Sequence, residues 1–222
     1  MSAHYKSLAR RTNPEQIAIF PLSGAVMLPG CDLPLNIFEP RYLNMIDDAL
    51  KGERLIGMIQ NIDNTLAPVG GLGRITQFSE TDDGRYLIVL RGLKRFRLAD
   101  ELGSSAPYRI AAPDFMPFED DIDVHMNSGL PEALSGISAS DRAALVTAMK
   151  GFAKHLGVDV DWEALAEIAL HSLIDQATMI SPFKPADKQS LLEAKNHDER
   201  RRLLVGLMTL YSSQDKPDAP LQ

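Results

Sequence analysis

The chain has 222 residues, 45% of them hydrophobic, with one cysteine and a formal net charge of -7. That length fills one large domain or two small ones, the lone Cys31 excludes an internal disulfide framework, and the acidic balance argues against a surface that attracts nucleic acid as a whole. No apolar run approaches the roughly 20 residues of a bilayer span, and the opening MSAHYKSLARR lacks the apolar core of a secretion signal, so a cytoplasmic location is expected and a membrane partner is not.

From Ile17 to about Phe115, short runs of β-branched, aromatic and aliphatic residues are separated by Gly, Pro, Asn and Asp. The runs are 17–20, 33–38, 55–60, 73–78, 86–90, 96–99 and 108–111, and strands at that spacing predict a small barrel or sandwich. Arg95-Phe96-Arg97-Leu98 alternates polar with apolar, which predicts one wet face and one buried face. Asp82-Asp83-Gly84 reads as a hairpin turn, and Gly70-Gly71-Leu72-Gly73 as a tight turn between strands. One helix interrupts the strands. Pro40 suits its first turn, Tyr42, Met45, Ile46 and Ala49 recur at helical spacing, and Gly52 follows its end. Glu39 and Arg41 are expected to fix the entry to this helix, because a carboxylate is favourable at a helix N-terminus.

Between Pro113 and Gly136 the pattern turns proline-containing and acidic, and the cluster Glu119, Asp120, Asp121 and Asp123 reads as a solvated connector. Helical periodicity then begins. Leu145, Val146, Met149, Phe152, Ala153 and Leu156 make one stripe, with Ser140 as N-cap and Gly157 as the stop. A second helix is expected from about Asp161 through Leu173 and Ile174, buried at the centre of the helical part. Pro185 opens a third, and Asp198 caps a fourth carrying Leu203, Leu204, Leu207 and Tyr211. The expected division is a β-rich part over 1–115, a connector over 116–137, a helical bundle over 138–211 and a disordered tail over 212–222, an α+β chain.

Motifs for chemistry are weak. A phosphate cradle needs a Gly-Lys-Ser or Gly-Lys-Thr step, and the chain contains no Gly-Lys pair. Glu167 and His171 stand one helical turn apart, better explained as a surface pair than as a metal site. Gly136-Ile137-Ser138-Ala139-Ser140 lacks the last glycine of a nucleophile elbow and reads as a helix cap. Ser181-Pro182-Phe183-Lys184 has the spacing of a Ser-Lys dyad but is bracketed by Pro182 and Pro185, so an interhelical loop is the better reading. Cys31 reads as inert packing. No catalytic residue, metal or cofactor is expected. Arg91, Lys94, Arg95 and Arg97 form a basic strip, the candidate contact for a polyanion, and Arg200-Arg201-Arg202 is a second basic run.

The segment Ile19-Phe20-Pro21-Leu22-Ser23-Gly24-Ala25-Val26-Met27-Leu28-Pro29-Gly30, continuing through Leu33-Pro34-Leu35-Asn36-Ile37-Phe38-Glu39-Pro40-Arg41-Tyr42, resembles the opening of the Lon protease N-terminal substrate-binding domain. Ile56-Gly57-Met58, Gly73-Arg74-Ile75, Gly92, Arg95-Phe96-Arg97 and Pro107-Tyr108 continue the resemblance in order, and Lys188-Gln189-Ser190-Leu191-Leu192-Glu193 resembles part of the helical bundle that follows it. The resemblance spans roughly residues 16–211. It implies a PUA-like β pseudo-barrel followed by a C-terminal helical bundle, and a unit that recognises unfolded or tagged polypeptides for an ATPase and a protease. The chain stops where those domains would begin, so a stand-alone bacterial protein of this kind is expected: non-enzymatic, polypeptide-binding, and an adaptor to a protease or chaperone. Val26, Met27, Leu28, Leu33 and Leu35 lie on Pro- and Gly-rich segments and are the candidate polypeptide contact. An RNA-binding PUA-like protein is the alternative, with a steep salt dependence of binding as its signature. A hydrolase using Ser181 and Lys184 is the remaining rival, and it requires the two side chains to approach each other.

Overall fold

Ile17, Ile19 and Phe20 are buried on the first strand, and the structure builds outward from them. The structure, a computed structural model, describes residues 3–119, 121 and 138–213. Its elements are α1 (Ala3–Arg11), β1 (Ile17–Pro21), β2 (Asp32–Ile37), α2 (Pro40–Lys51), β3 (Leu55–Ile62), β4 (Thr65–Glu80), β5 (Tyr86–Leu102) and β6 (Arg109–Asp114), then a 3-10 turn at Met116–Phe118. Five helices follow: α3 (Ala139–Leu156), α4 (Trp162–Ala166), α5 (Leu170–Ile180), α6 (Pro185–Glu193) and α7 (His197–Ser213). The chain divides into two compact units, one holding 1–127 with 179–193 and the other 128–178 with 194–222.

In the first unit the six strands run in the order β2-β5-β4-β3-β1-β6, and β5 also pairs with β6, so five of them close into a barrel with β2 outside on β5. Closure is possible because β4 and β5 are long and irregular. Their pairing shifts register between Leu72 and Gly73 and again between Ile75 and Gln77, and such bulges bend strands around a barrel. The runs 86–90 and 96–99, expected as two strands, are therefore one. The glycine run 70–73 is strand and no turn. A Cβ on Gly71 would stand 2.2 Å from the Met27 carbonyl oxygen, and one on Gly70 would stand 2.5 Å from the Phe96 ring. These glycines let backbone approach backbone, the second use of glycine in a strand.

Three apolar clusters fill this unit. Ile17, Ile19, Ile59, Leu72, Leu93, Phe96 and Ala111 form one with Ala9 of α1. Phe20, Met27, Ile37, Met58, Ile88 and Leu90 form another with Tyr42, Met45 and Ile46 of α2. The third gathers Val26, Leu28, Cys31 and Val69 with Leu192 of α6. Helix α2 begins at Pro40 and ends at Gly52 as expected. Tyr86 and Tyr108 each donate a hydroxyl to it, to Asp47 at 3.0 Å and Asp48 at 2.9 Å. The hairpin between β4 and β5 turns at Gly84, whose φ of 77° needs glycine. Helix α6 packs on β3 and β4 and so belongs to the barrel unit. Gln60 donates to the Pro185 carbonyl at 2.9 Å and to Gln189 at 3.0 Å, and Gln189 donates to the Val69 carbonyl at 3.1 Å.

In the second unit Ser138, two residues ahead of the expected Ser140, caps α3 in a reciprocal box with Asp141, whose carboxyl is held below its usual range by the Ser138 amide and hydroxyl. Gly157 ends that helix in the left-handed region. The single helix expected from Asp161 is broken into α4 and α5. Arg142 causes the break to persist by donating Nη2 to the carbonyls of Leu165, Ala166 and Ile168 at 3.0, 2.7 and 2.9 Å, which satisfies acceptors that a continuous helix would have used. Helix α4 buries no residue, so the expected buried centre is α5 alone, through Leu170, Leu173, Ile174 and Ala177. Asn196, in place of the expected Asp198, caps α7 by accepting the Glu199 amide at 2.9 Å. Asp198 instead pairs with Arg201 and Arg202. Leu203, expected on the inner stripe of α7, is exposed, and Met208 takes its place beside Leu204 in the interior.

Candidate polypeptide-binding surface

The five apolar candidates separate in the structure. Val26, Met27 and Leu28 are buried, Met27 in the cluster under α2 and the other two beside Cys31, Val69 and Leu192. They offer no outward surface, because the loop that carries them folds under the barrel and Leu28 and Met27 meet the glycines of β4 and β5. Leu33 and Leu35 on β2 remain half-buried, at the margin of the α2 cluster.

The basic strip also comes apart. Arg91 is half-buried and reaches Asp32 at 2.7 Å. Lys94 is buried, with Nζ donating to Asn13 at 2.7 Å and lying 4.6 Å from the Phe115 ring centre. Burial pulls this ammonium down to about 8, with Glu119 acting in the opposite sense. Arg95 is buried too, contrary to the wet face expected of it. It donates Nε and Nη2 to Asp121 and Nη1 to the Leu192 carbonyl at 2.6 Å, and stacks 4.3 Å from the Phe118 ring centre. Arg97 is exposed. Asp121, expected in a solvated connector, is thus a half-buried counter-ion to the buried Arg95, while Asp120 and Asp123 lie outside the described residues.

The remaining chemical candidates are equally plain. Ser181 is buried and Lys184 exposed, the reverse of a dyad, which needs a buried, deprotonated lysine beside a reachable serine. Glu39 makes no cap to α2. Its carboxylate accepts from Arg41 at 3.0 and 2.8 Å, and Arg41 lies over the Tyr42 ring. Cys31 is buried. His171 and His197, remote in sequence, bring their ring centres to 6.2 Å in the second unit, where His197 and Arg200 both bind the buried Asp175 at 2.9 and 2.8 Å. Among the described residues no group of three or more His, Cys, Asp or Glu is arranged for a metal, and no helix is long and apolar enough to cross a membrane.

The first unit leaves several large apolar side chains exposed: Phe38 (64%) just after β2, Leu87 (45%) on β5, Phe78 (42%) on β4, Met116 (73%) and Ile180 (79%). Leu87 and Phe78 lie on opposite faces of the sheet, Phe78 against the Tyr86 ring. On the Leu87 face a groove of about 440 Å³ runs over β2, β5 and β4 between Pro34 and Gln77. Sequence reasoning missed Phe38, Phe78 and Leu87, although a signal was present. The run Tyr86-Leu87-Ile88-Val89-Leu90 is apolar at every position, so when Ile88 and Leu90 face the core, Leu87 and Val89 must face out.

Residues 16–209 match the ATP-dependent protease La (LON) substrate-binding domain, and the chain belongs to that family. It is 23% identical over 210 residues to the Lon protease of Cytophaga hutchinsonii, covering 88% of this chain and 24% of that protein. It is 28% identical over 204 residues to Lon protease 2 of Sorangium cellulosum, covering 87% of this chain and again 24% of that protein. The chain therefore spans about a quarter of the length of these relatives. Among solved structures, a Lon N-terminal domain protein from Xanthomonas campestris superposes with a TM-score of 0.61 at 19% identity, covering 86% of this chain and 97% of that one. The N-terminal domain of the Mycobacterium avium complex Lon protease superposes equally, at 18% identity, covering 87% and 98%. The fold is that of the Lon N-terminal domain, an α+β chain with a six-stranded sheet followed by helices.

Proposed function

We propose that this chain is a polypeptide-binding module that performs no catalysis itself and delivers what it binds to a proteolytic or chaperone partner in the cytoplasm. The observation that carries the reading is the exposure of Leu87, with the half-buried Val89 beside it, along one groove over β2, β5 and β4 in a protein of the substrate-binding family, since an apolar strip on a soluble surface fits a partner that covers it. Support also comes from what the basic strip has become. With Lys94 and Arg95 buried, a polyanion would meet Arg97 and the Asp32-paired Arg91 alone.

The test is equilibrium binding of a reduced, carboxymethylated polypeptide that cannot refold, alongside its native form, at 50 and 500 mM salt and with nuclease treatment. Retention of the unfolded form alone, insensitive to salt and nuclease, is expected. Capture of RNA that is lost at high salt would overturn the reading and return weight to Arg91 and Arg97.

A further inference from the structure

The third apolar cluster of the barrel unit is closed by a single piece of chain. Helix α6 and its approach, residues 179–193, bring Leu192 and Met179 against Val26, Leu28, Cys31 and Val69. This piece adds no strand to the sheet and no residue to the two larger clusters, so lifting it away breaks no ladder bond and leaves both of them whole. The rest of the unit is one continuous stretch, 1–127, that the release does not interrupt.

The other ties between this piece and the strands are polar. Gln60 donates Nε2 to the Pro185 carbonyl and to Gln189 Oε1, Gln189 donates to the Val69 carbonyl, and Arg95 donates Nη1 to the Leu192 carbonyl. Bonds to side-chain amides and carbonyls exchange for water at a small net loss each. Nor does their release strand a charge. Arg95 keeps Nε and Nη2 on Asp121, and the Gln60 Oε1 keeps the Gly24 amide at 2.9 Å. The piece also braces itself, because Lys188 donates Nζ to the Met179 carbonyl and Gln189 donates Nε2 to Glu193, both at 2.7 Å.

We propose that residues 179–193 form a strap that opens while the barrel stays folded, and that the open form uncovers Val26, Leu28, Cys31 and Val69. Closed, the strap withholds Val26 and Leu28 from any partner; open, it leaves them beside Val69 as one apolar patch. Local opening in cooperative pieces, at free energies below that of global unfolding, is a general property of folded chains.

Cys31, the one thiol of the chain, is buried under the strap and reports its opening. Its reaction with dithionitrobenzoate is followed on the folded protein at rising, sub-denaturing urea. With closing faster than labelling, the rate reads the open fraction. The rate is expected to rise with urea, at less than about half the slope of global unfolding, because the strap exposes only part of the surface. Gln189→Ala removes ties present only in the closed form and is expected to speed labelling about ten-fold. Tyr86→Phe loses a hydrogen bond to Asp47 that both forms keep, so it should weaken the protein globally yet leave labelling within about two-fold. A urea slope equal to the global one, or a rate that ignores urea, would overturn the strap. So would labelling unmoved by Gln189→Ala, or speeded by Tyr86→Phe to the full extent of its global loss. The urea slope is read on the unaltered protein, so the test stands even if Gln189→Ala fails to fold.

Discussion

Asp121 holds Arg95 at two points, 2.8 Å to Nε and 2.6 Å to Nη2, in the interior of the barrel unit. The same guanidinium donates to the carbonyl of Leu192, so one ion pair ties β5, the segment after β6 and α6 together. Removing one member strands a buried charge, which costs about 3–5 kcal/mol. Asp121→Ala should lower the unfolding free energy measured by urea titration by that amount, while Arg95→Met with Asp121→Leu should recover most of it. A loss below about 1 kcal/mol for the single variant would mean that water reaches the pair.

Lys94 makes stability depend on pH in the alkaline range. Its ammonium titrates near 8 in the folded protein and at 10.5 when released, so between those values the unfolded chain binds more protons and stability must rise with pH. Below about 8 the cost of burying the charge is present in full. Lys94→Met should therefore raise stability at pH 7 by about 1–2 kcal/mol and flatten the rise between pH 8 and 10. Urea titrations of both proteins across that range read the difference directly; parallel curves would contradict it.

Glycine substitutions should split sharply. At Gly92 a Cβ would meet the Leu28 carbonyl oxygen at 2.0 Å, and at Gly71 the Met27 carbonyl oxygen at 2.2 Å, both backbone atoms that cannot turn aside. Alanine at either should cost about 2–4 kcal/mol or prevent folding. At Gly151, inside α3, the nearest neighbour is the Ser212 hydroxyl at 3.9 Å. Alanine there should stabilise by about 0.5–1 kcal/mol. Thermal melts of the three variants give the ranking.

Arg142 should matter more to the α4–α5 break than to α3, which carries it. Arg142→Ala leaves the carbonyls of Leu165, Ala166 and Ile168 without that donor, at a cost of about 1–3 kcal/mol. Hydrogen exchange should accelerate first in residues 162–170, ahead of α3. Uniform acceleration across the second unit would show that the contact only adds to global stability.

The sequence carried much of this fold and little of its surface. Pro40, Gly52, Gly84 and Gly157 end or turn elements where their chemistry demands it, because caps and tight turns are decided by a few neighbouring residues. The family was legible in the long motif from Ile19 to Tyr42. What escaped depended on partners distant in sequence. Arg95 reads as solvent-facing until Asp121 and Leu192 are brought to it, and Gly70-Gly71 reads as a turn until Met27 and Phe96 close on it. Val26, Met27 and Leu28 carry no local mark that distinguishes a loop folded inward from one presented to a ligand. Leu87 did carry one, in a strand apolar on both faces.

Helix α6 gives the barrel unit an unusual order of manufacture. The unit comprises 1–127 and 179–193, so its last piece is translated only after an intervening stretch that belongs to the other unit. At about 5–20 residues per second, a ribosome takes several seconds to cross that interval. Throughout it Gln60, Val69 and the apolar side of Val26 and Leu28 wait for Gln189 and Leu192. During its own synthesis the nascent protein therefore presents an unfinished apolar surface, and a chain broken off before residue 193 keeps that surface open for good.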